Sequence, residues 1–110
     1  MFTKGIDVQP VDIVQGITMK TTVFGEKTLM TEFHLRKDVT LPSHSHPHEQ
    51  TGYLVSGKLI LRIENNEFTA VPGDSWCVPG NVPHSAIALE ESVAIEVFSP
   101  VRNEYLPTID

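Results

Sequence analysis

Apolar side chains in this chain recur at every second residue over short runs, and no stretch sustains the three-to-four-residue spacing that a long amphipathic helix needs. Leu59, Leu61 and Ile63 fall on one side of an extended segment, with Ile60, Arg62 and Glu64 on the other. Val93, Ile95 and Val97 alternate with Ala94, Glu96 and Phe98 in the same way, and both of those faces carry apolar groups, as for a strand covered on two sides. Strands are expected over Ile17 to Phe24, Lys27 to Arg36, Gln50 to Val55, Lys58 to Glu64, Glu67 to Val71, Ser75 to Val78, Ser85 to Ala88 and Ser92 to Phe98. Ser56-Gly57 and Asn65-Asn66 read as tight hairpin turns. Pro42, Pro47, Pro72, Pro79, Pro83, Pro100 and Pro107 suit edges and loops, and their distribution speaks against an α/β fold. An all-β chain of this kind can close into a two-sheet jelly roll with an interior cavity.

At 110 residues the chain accommodates one domain, expected over residues 1–110. So small a core is marginal, and a homodimer joined through a β edge or an apolar sheet face would bury more surface. Eight basic against fourteen acidic residues give a formal charge of −6, which offers no support to binding of nucleic acid or an anionic membrane. Cys77 is the only cysteine, so no intrachain disulfide forms. Met1-Phe2-Thr3-Lys4-Gly5 is not followed by a long apolar run, so no secretory signal or transmembrane segment is expected and the cytoplasm is the expected location.

Chemistry concentrates in His44-Ser45-His46-Pro47-His48-Glu49-Gln50. Alternate residues of an extended segment face the same way, so His44 and His46 can reach one ion, Gln50 keeps their parity, and His84 is the distant candidate to complete the set. Imidazole nitrogens with one amide oxygen suit a single divalent first-row metal such as Mn, Fe, Co, Ni or Zn, with positions left for water or substrate. A solvated histidine loop and a hydrogen-bonded structural cluster are the competing readings. Pro47 turns the segment and puts His48 outside the preferred set, and Glu49 has the opposite parity to Gln50. A neutral glutamine leaves such a centre more cationic than a carboxylate does, which favours anionic ligands. Trp76 reads either as core or as a pocket wall.

These residues resemble the two motifs of the cupin superfamily. The first, spanning 38–57, appears as His44-x-His46-x3-Gln50-x6-Gly57, with Gln50 in the usual glutamate position and Asp38 where the motif begins with glycine. The second, spanning 73–88, runs from Gly73 through Pro79 to His84, with Asn81 at the internal glycine position and Ala88 at the terminal asparagine position. The resemblance implies a cupin jelly-roll barrel (a double-stranded β-helix) and a metal. His46-Pro47-His48-Glu49-Gln50, Pro79-Gly80-Asn81-Val82-Pro83-His84 and Phe98-Ser99-Pro100-Val101-Arg102 look more specifically like the small single-domain cupins of pectin and alginate degradation. In those proteins glutamine is a metal ligand.

That likeness implies metal-dependent conversion of 4,5-unsaturated monouronates to linear keto sugar acids, an isomerase-like ring opening of a small anionic sugar-derived substrate. Its acidic, aromatic and arginine positions match Glu96, Phe98 and Arg102, with Glu96 one methylene longer than the aspartate of close relatives. Glu96 would be the catalytic acid-base group; Phe98 and Arg102 would bind substrate, with Arg102 also serving catalysis by gripping the carboxylate. A solvated Glu96, a core Phe98 and an ordinary surface ion pair at Arg102 are the plainer alternatives. Cupins also include binding-only modules, dioxygenases and other isomerases, so fold alone does not choose. There is no dinucleotide-binding glycine fingerprint, no phosphate loop and no metalloprotease helix motif.

Overall fold

In the computed structural model, which describes residues 1–107, the alternating runs become ten strands. They are β1 (Val11–Val14), β2 (Ile17–Phe24), β3 (Leu29–Leu35), β4 (Thr40–His44), β5 (Glu49–Ser56), β6 (Leu59–Ile63), β7 (Asn66–Ala70), β8 (Ser75–Val78), β9 (His84–Ala88) and β10 (Ser92–Ser99). Short 3-10 turns cover Gly5–Asp7 and Asn103–Tyr105. One sheet has the order β1-β2-β3-β10-β5-β8 and the other β4-β9-β6-β7, with antiparallel pairing throughout. The two face each other as an open jelly roll. The last three residues of the single domain expected over 1–110 lie outside the described residues. Among the described residues, no helix is long and apolar enough to cross a membrane.

The period-two pattern decides what lies between the sheets. Leu29, Thr31, Phe33 and Leu35 of β3, Gln50, Gly52 and Leu54 of β5, and Ser92, Ala94, Glu96 and Phe98 of β10 are all buried. Leu59, Leu61, Ala86 and Ala88 meet them from the second sheet. Each fully buried aliphatic side chain, such as Ile17, Leu29 or Leu54, contributes about 1.5–3 kcal/mol. On the outer face Val93, Ile95 and Val97 are half-buried, in register with Met30 and Tyr53, which are exposed.

Three expectations change. The segment before β2 forms β1, and Thr40–His44 forms β4; both are edge strands without clean alternation. On its sheet edge β4 tolerates Pro42, whose missing N–H costs least where no neighbour needs it. Ser56-Gly57 does not close a hairpin, because β5 and β6 belong to different sheets. Gly57 instead turns the chain from one sheet to the other at φ +93°, and the Ser92 hydroxyl accepts the next N–H, that of Lys58, at 3.1 Å. The hairpin between β6 and β7 does form, but it pairs Ile63 with Asn66, so Glu64-Asn65 is its tip.

A methyl at Gly57 would lie 2.2 Å from Ser92 Oγ and 2.4 Å from the Glu91 carbonyl, at a backbone angle that disfavours any side chain. Gly57→Ala should therefore cost on the order of 1–3 kcal/mol, read as a lower urea midpoint with an unchanged slope.

Candidate metal centre

Three separate pieces of chain bring the histidines together. His44 closes β4 and His84 opens β9, directly opposite each other in the ladder, with ring centroids 4.2 Å apart. His46 lies beyond the end of β4, in the turn leading to β5. Its position is set by the Pro79–Pro83 loop, since its carbonyl accepts the Asn81 N–H at 2.7 Å. Asn81 reaches it with a positive φ of 66°, and a side chain on Gly80 would lie 2.6 Å from the Pro47 carbonyl. Gly80, which has no side chain, and Asn81, which stands at the motif's internal glycine position, thus let two loops pack backbone against backbone. Gln50 comes from β5 in the other sheet, so the shared parity expected along one strand is replaced by convergence across the sandwich.

Hydrogen bonding then orients every ring. Each histidine Nδ1 faces a backbone carbonyl: Pro42 at 2.9 Å for His44, His48 at 3.0 Å for His46 and Val82 at 2.8 Å for His84. A carbonyl only accepts, so each Nδ1 carries the proton and each neutral ring presents a bare Nε2. Gln50 Nε2 donates to Glu96 Oε2 at 2.9 Å, which turns the amide oxygen toward His46 Nε2, 3.0 Å away. Two lone pairs facing at that distance repel unless a cation is shared between them. Donors bound at about 2.1 Å to one ion and at right angles lie about 3.0 Å apart. The ligating atoms of His44, His46 and His84 all fall within 4.8 Å of one another, and His84 Nε2 is buried with no hydrogen-bond partner. These residues fit a divalent metal ion.

Burial disfavours protonation of two of the three rings. His84 is lowered from 6.5 to about 4, chiefly by desolvation. Desolvation, helped by the positive charge of Arg102, also lowers His46. Glu96 moves the other way, raised to about 8 by burial, while the Gln50 amide and the nearby Trp76 indole pull it back. Gly52 leaves room for the indole. It stands opposite both Glu96 and Trp76 in the sheet, and a methyl on it would lie 2.2 Å from the indole ring.

The other expected residues gather nearby. Phe98 pairs with Gln50 across the ladder, sits edge-on to His46 at 5.8 Å and is 1% exposed. Arg102 covers the Phe98 ring at 5.3 Å and pairs with Glu104, so the surface ion pair foreseen for it is present. His44, Gln50, Glu96, Phe98 and Arg102 line one small cavity of about 50 Å³. His48 is not grouped with the other three histidines, and Glu49 is exposed. Tyr105 lines the same cavity; nothing in its sequence neighbourhood marks it, because it follows the last strand. A wider groove of about 890 Å³ lies at the Leu35 end of β3, and His34, which borders it, is paired with Glu32 at 2.6 Å.

A cupin-domain family model matches residues 31–99. The pectin degradation protein KdgF of Dickeya dadantii (strain 3937) is 30% identical over 97 residues, covering 86% of this chain and 88% of that protein. The structure of KdgF from Halomonas sp. superimposes with a TM-score of 0.92 at 28% identity, covering 96% of this chain and 98% of the other. An RmlC-like cupin from Shewanella frigidimarina NCIMB 400 gives 0.91 at 26% identity, covering 96% and 95%.

Between pH 6.5 and about 4 an unfolded His84 binds a proton that the folded ring does not, so this group makes the metal-free protein less stable as pH falls through that window. Glu96 acts in the opposite sense between its ordinary 4.5 and about 8, where the folded state holds the extra proton. The difference between wild type and His84→Gln isolates the histidine. The variant's urea midpoint should fall less steeply below pH 6.5; identical slopes would count against it.

Proposed function

Because the chain belongs to the cupin domain family, we propose that it converts 4,5-unsaturated monouronates to linear keto sugar acids, using one divalent transition metal (Mn, Fe, Co, Ni or Zn) held by His44, His46, Gln50 and His84. The observation that carries this is the buried Glu96, joined through the Gln50 amide to the bare Nε2 of His46, with Arg102 at the same cavity. The likeness to the two KdgF proteins over nearly the whole chain supports a role in pectin degradation.

A bound divalent ion supplies Lewis-acid polarisation of a substrate oxygen. Glu96 takes the proton from the hemiacetal hydroxyl. The bond between C1 and the ring oxygen breaks, C1 becomes an aldehyde, and the electron pair passes to the ring oxygen to leave an enolate at C5. Returning that one proton to C4 converts the enolate to a ketone. Atoms balance and no oxidant is consumed. A carboxyl raised to about 8 is suited to both accepting and returning a proton near neutrality. Arg102 pairs with the uronate carboxylate, and Phe98, with its ring face under the guanidinium, is an apolar wall beside the reacting atoms.

One observation favours a binding-only cupin instead: a cavity of about 50 Å³ suits an ion and water, so a sugar acid has to lie across the mouth. A metal-dependent dioxygenase is separated by running the assay without oxygen, and another isomerase by the identity of the product. The half-apolar outer face of β3, β10 and β5 supports a homodimer, to be checked by sedimentation.

Metal-loaded, anaerobic protein should remove the ring alkene signal of an unsaturated monouronate in NMR faster than chelated protein; equal rates would sink the assignment. Glu96→Gln should lower kcat by about 10²–10⁴-fold with its metal retained. Gln50→Ala combined with His84→Ala should lose stoichiometric metal by elemental analysis, and full retention would reject the four-residue set.

A further inference from the structure

We propose that Tyr105 is a positioning residue that holds the Arg102 guanidinium flat, with its terminal N–H pair turned to a ligand carboxylate. The inference rests on the uronate reading above and assigns a residue outside both metal motifs.

Arg102 follows the last strand and lies outside both sheets, so no ladder restrains it. A four-torsion side chain leaving such a tail has many rotamers to lose before it can meet a carboxylate squarely. The structure removes that freedom on three sides. The guanidinium carbon Cζ lies over the Tyr105 ring, 4.1 Å from its centroid, and over the Phe98 ring at 5.3 Å. Glu104 accepts the Nε–H. The terminal N–H pair is the remaining fork, and its geometry matches a carboxylate through two parallel hydrogen bonds. The side chain of Arg102 is 15% exposed while that of Glu104 is 61% exposed, so the acid holds the outer edge and the arginine lies inward.

Tyr105 can do this because it is itself fixed. Its ring meets Phe33 edge-on at 6.0 Å and Phe98 at 5.5 Å. Its carbonyl accepts the Thr21 hydroxyl of β2, and its N–H donates to the Arg102 carbonyl at 3.0 Å, closing the 3-10 turn. One residue thus ties the tail to β2, β3 and β10 and brings Arg102 to the cavity that His44, Gln50 and Glu96 line. Stacking on the guanidinium needs the aromatic ring and not the hydroxyl, which separates the proposed role from a specific contact of the phenol.

The test uses metal-loaded protein and two calorimetric probes, D-galacturonate and its methyl ester, alongside steady-state kinetics on the unsaturated monouronate. Wild type and Tyr105→Phe should prefer the acid over the ester by about tenfold, and Tyr105→Leu should lose most of that preference. In kinetics Tyr105→Leu should raise KM by about tenfold with kcat within about twofold, the mark of lost uniform binding. Arg102→Met should abolish the preference, and adding Tyr105→Leu to it should change nothing further. The proposal is overturned by a wild type that does not prefer the acid, by a Tyr105→Leu protein that keeps the preference, by Tyr105→Phe failing as badly as Tyr105→Leu, or by additive losses with Arg102→Met. A wild type that prefers the acid but never turns over the unsaturated monouronate, with the variants ordered as above, supports the positioning role while removing the ring-opening reading.

Discussion

Three imidazole N–H groups donate to backbone carbonyls two residues away, and the chemistry available to this protein depends on those bonds. Each is local, so each is made as soon as its turn or strand end forms. Together they leave three bare nitrogens pointing at one volume. Glu96 does for Gln50 what the carbonyls do for the histidines, taking the amide N–H so that the oxygen faces inward. Four acceptors without a proton among them form a site that is unfavourable empty of charge and favourable with a cation.

That cluster is lodged where an apolar core would otherwise continue. Gln50 and Glu96 share their inward faces with Leu54, Ala94 and Phe98. Polar groups there cost stability unless satisfied, and the Gln50–Glu96 bond offsets part of that cost. Any ligand that binds only the folded cluster stabilises the whole domain by mass action. Stability and ligand binding at this cluster would therefore be linked at the same atoms.

The longer acid at position 96 also acquires a structural meaning. The resemblance to cupins of pectin and alginate degradation implies an aspartate at this position, and glutamate adds one methylene of reach. In this fold that reach ends on the Gln50 amide, with Gly52 left bare so that Trp76 can approach from the far side. The acid is thus held by the Gln50 amide of the adjacent strand with the Trp76 indole one strand further on, an arrangement that follows from the β10–β5–β8 register.

Period-two alternation and scattered prolines were enough to establish an all-β chain, and motif spacing singled out His44, His46, Gln50 and His84, because both are local properties of covalent order. The common face of Glu96 and Phe98 was legible for the same reason, since residues two apart on a strand point the same way. Only the tertiary structure decided that β5 and β6 part into different sheets, that His46 is placed by the Pro79–Pro83 loop and that Tyr105 closes over Arg102. Those outcomes depend on which strands pair and which loops meet, and pairing is set by burial summed over the whole chain.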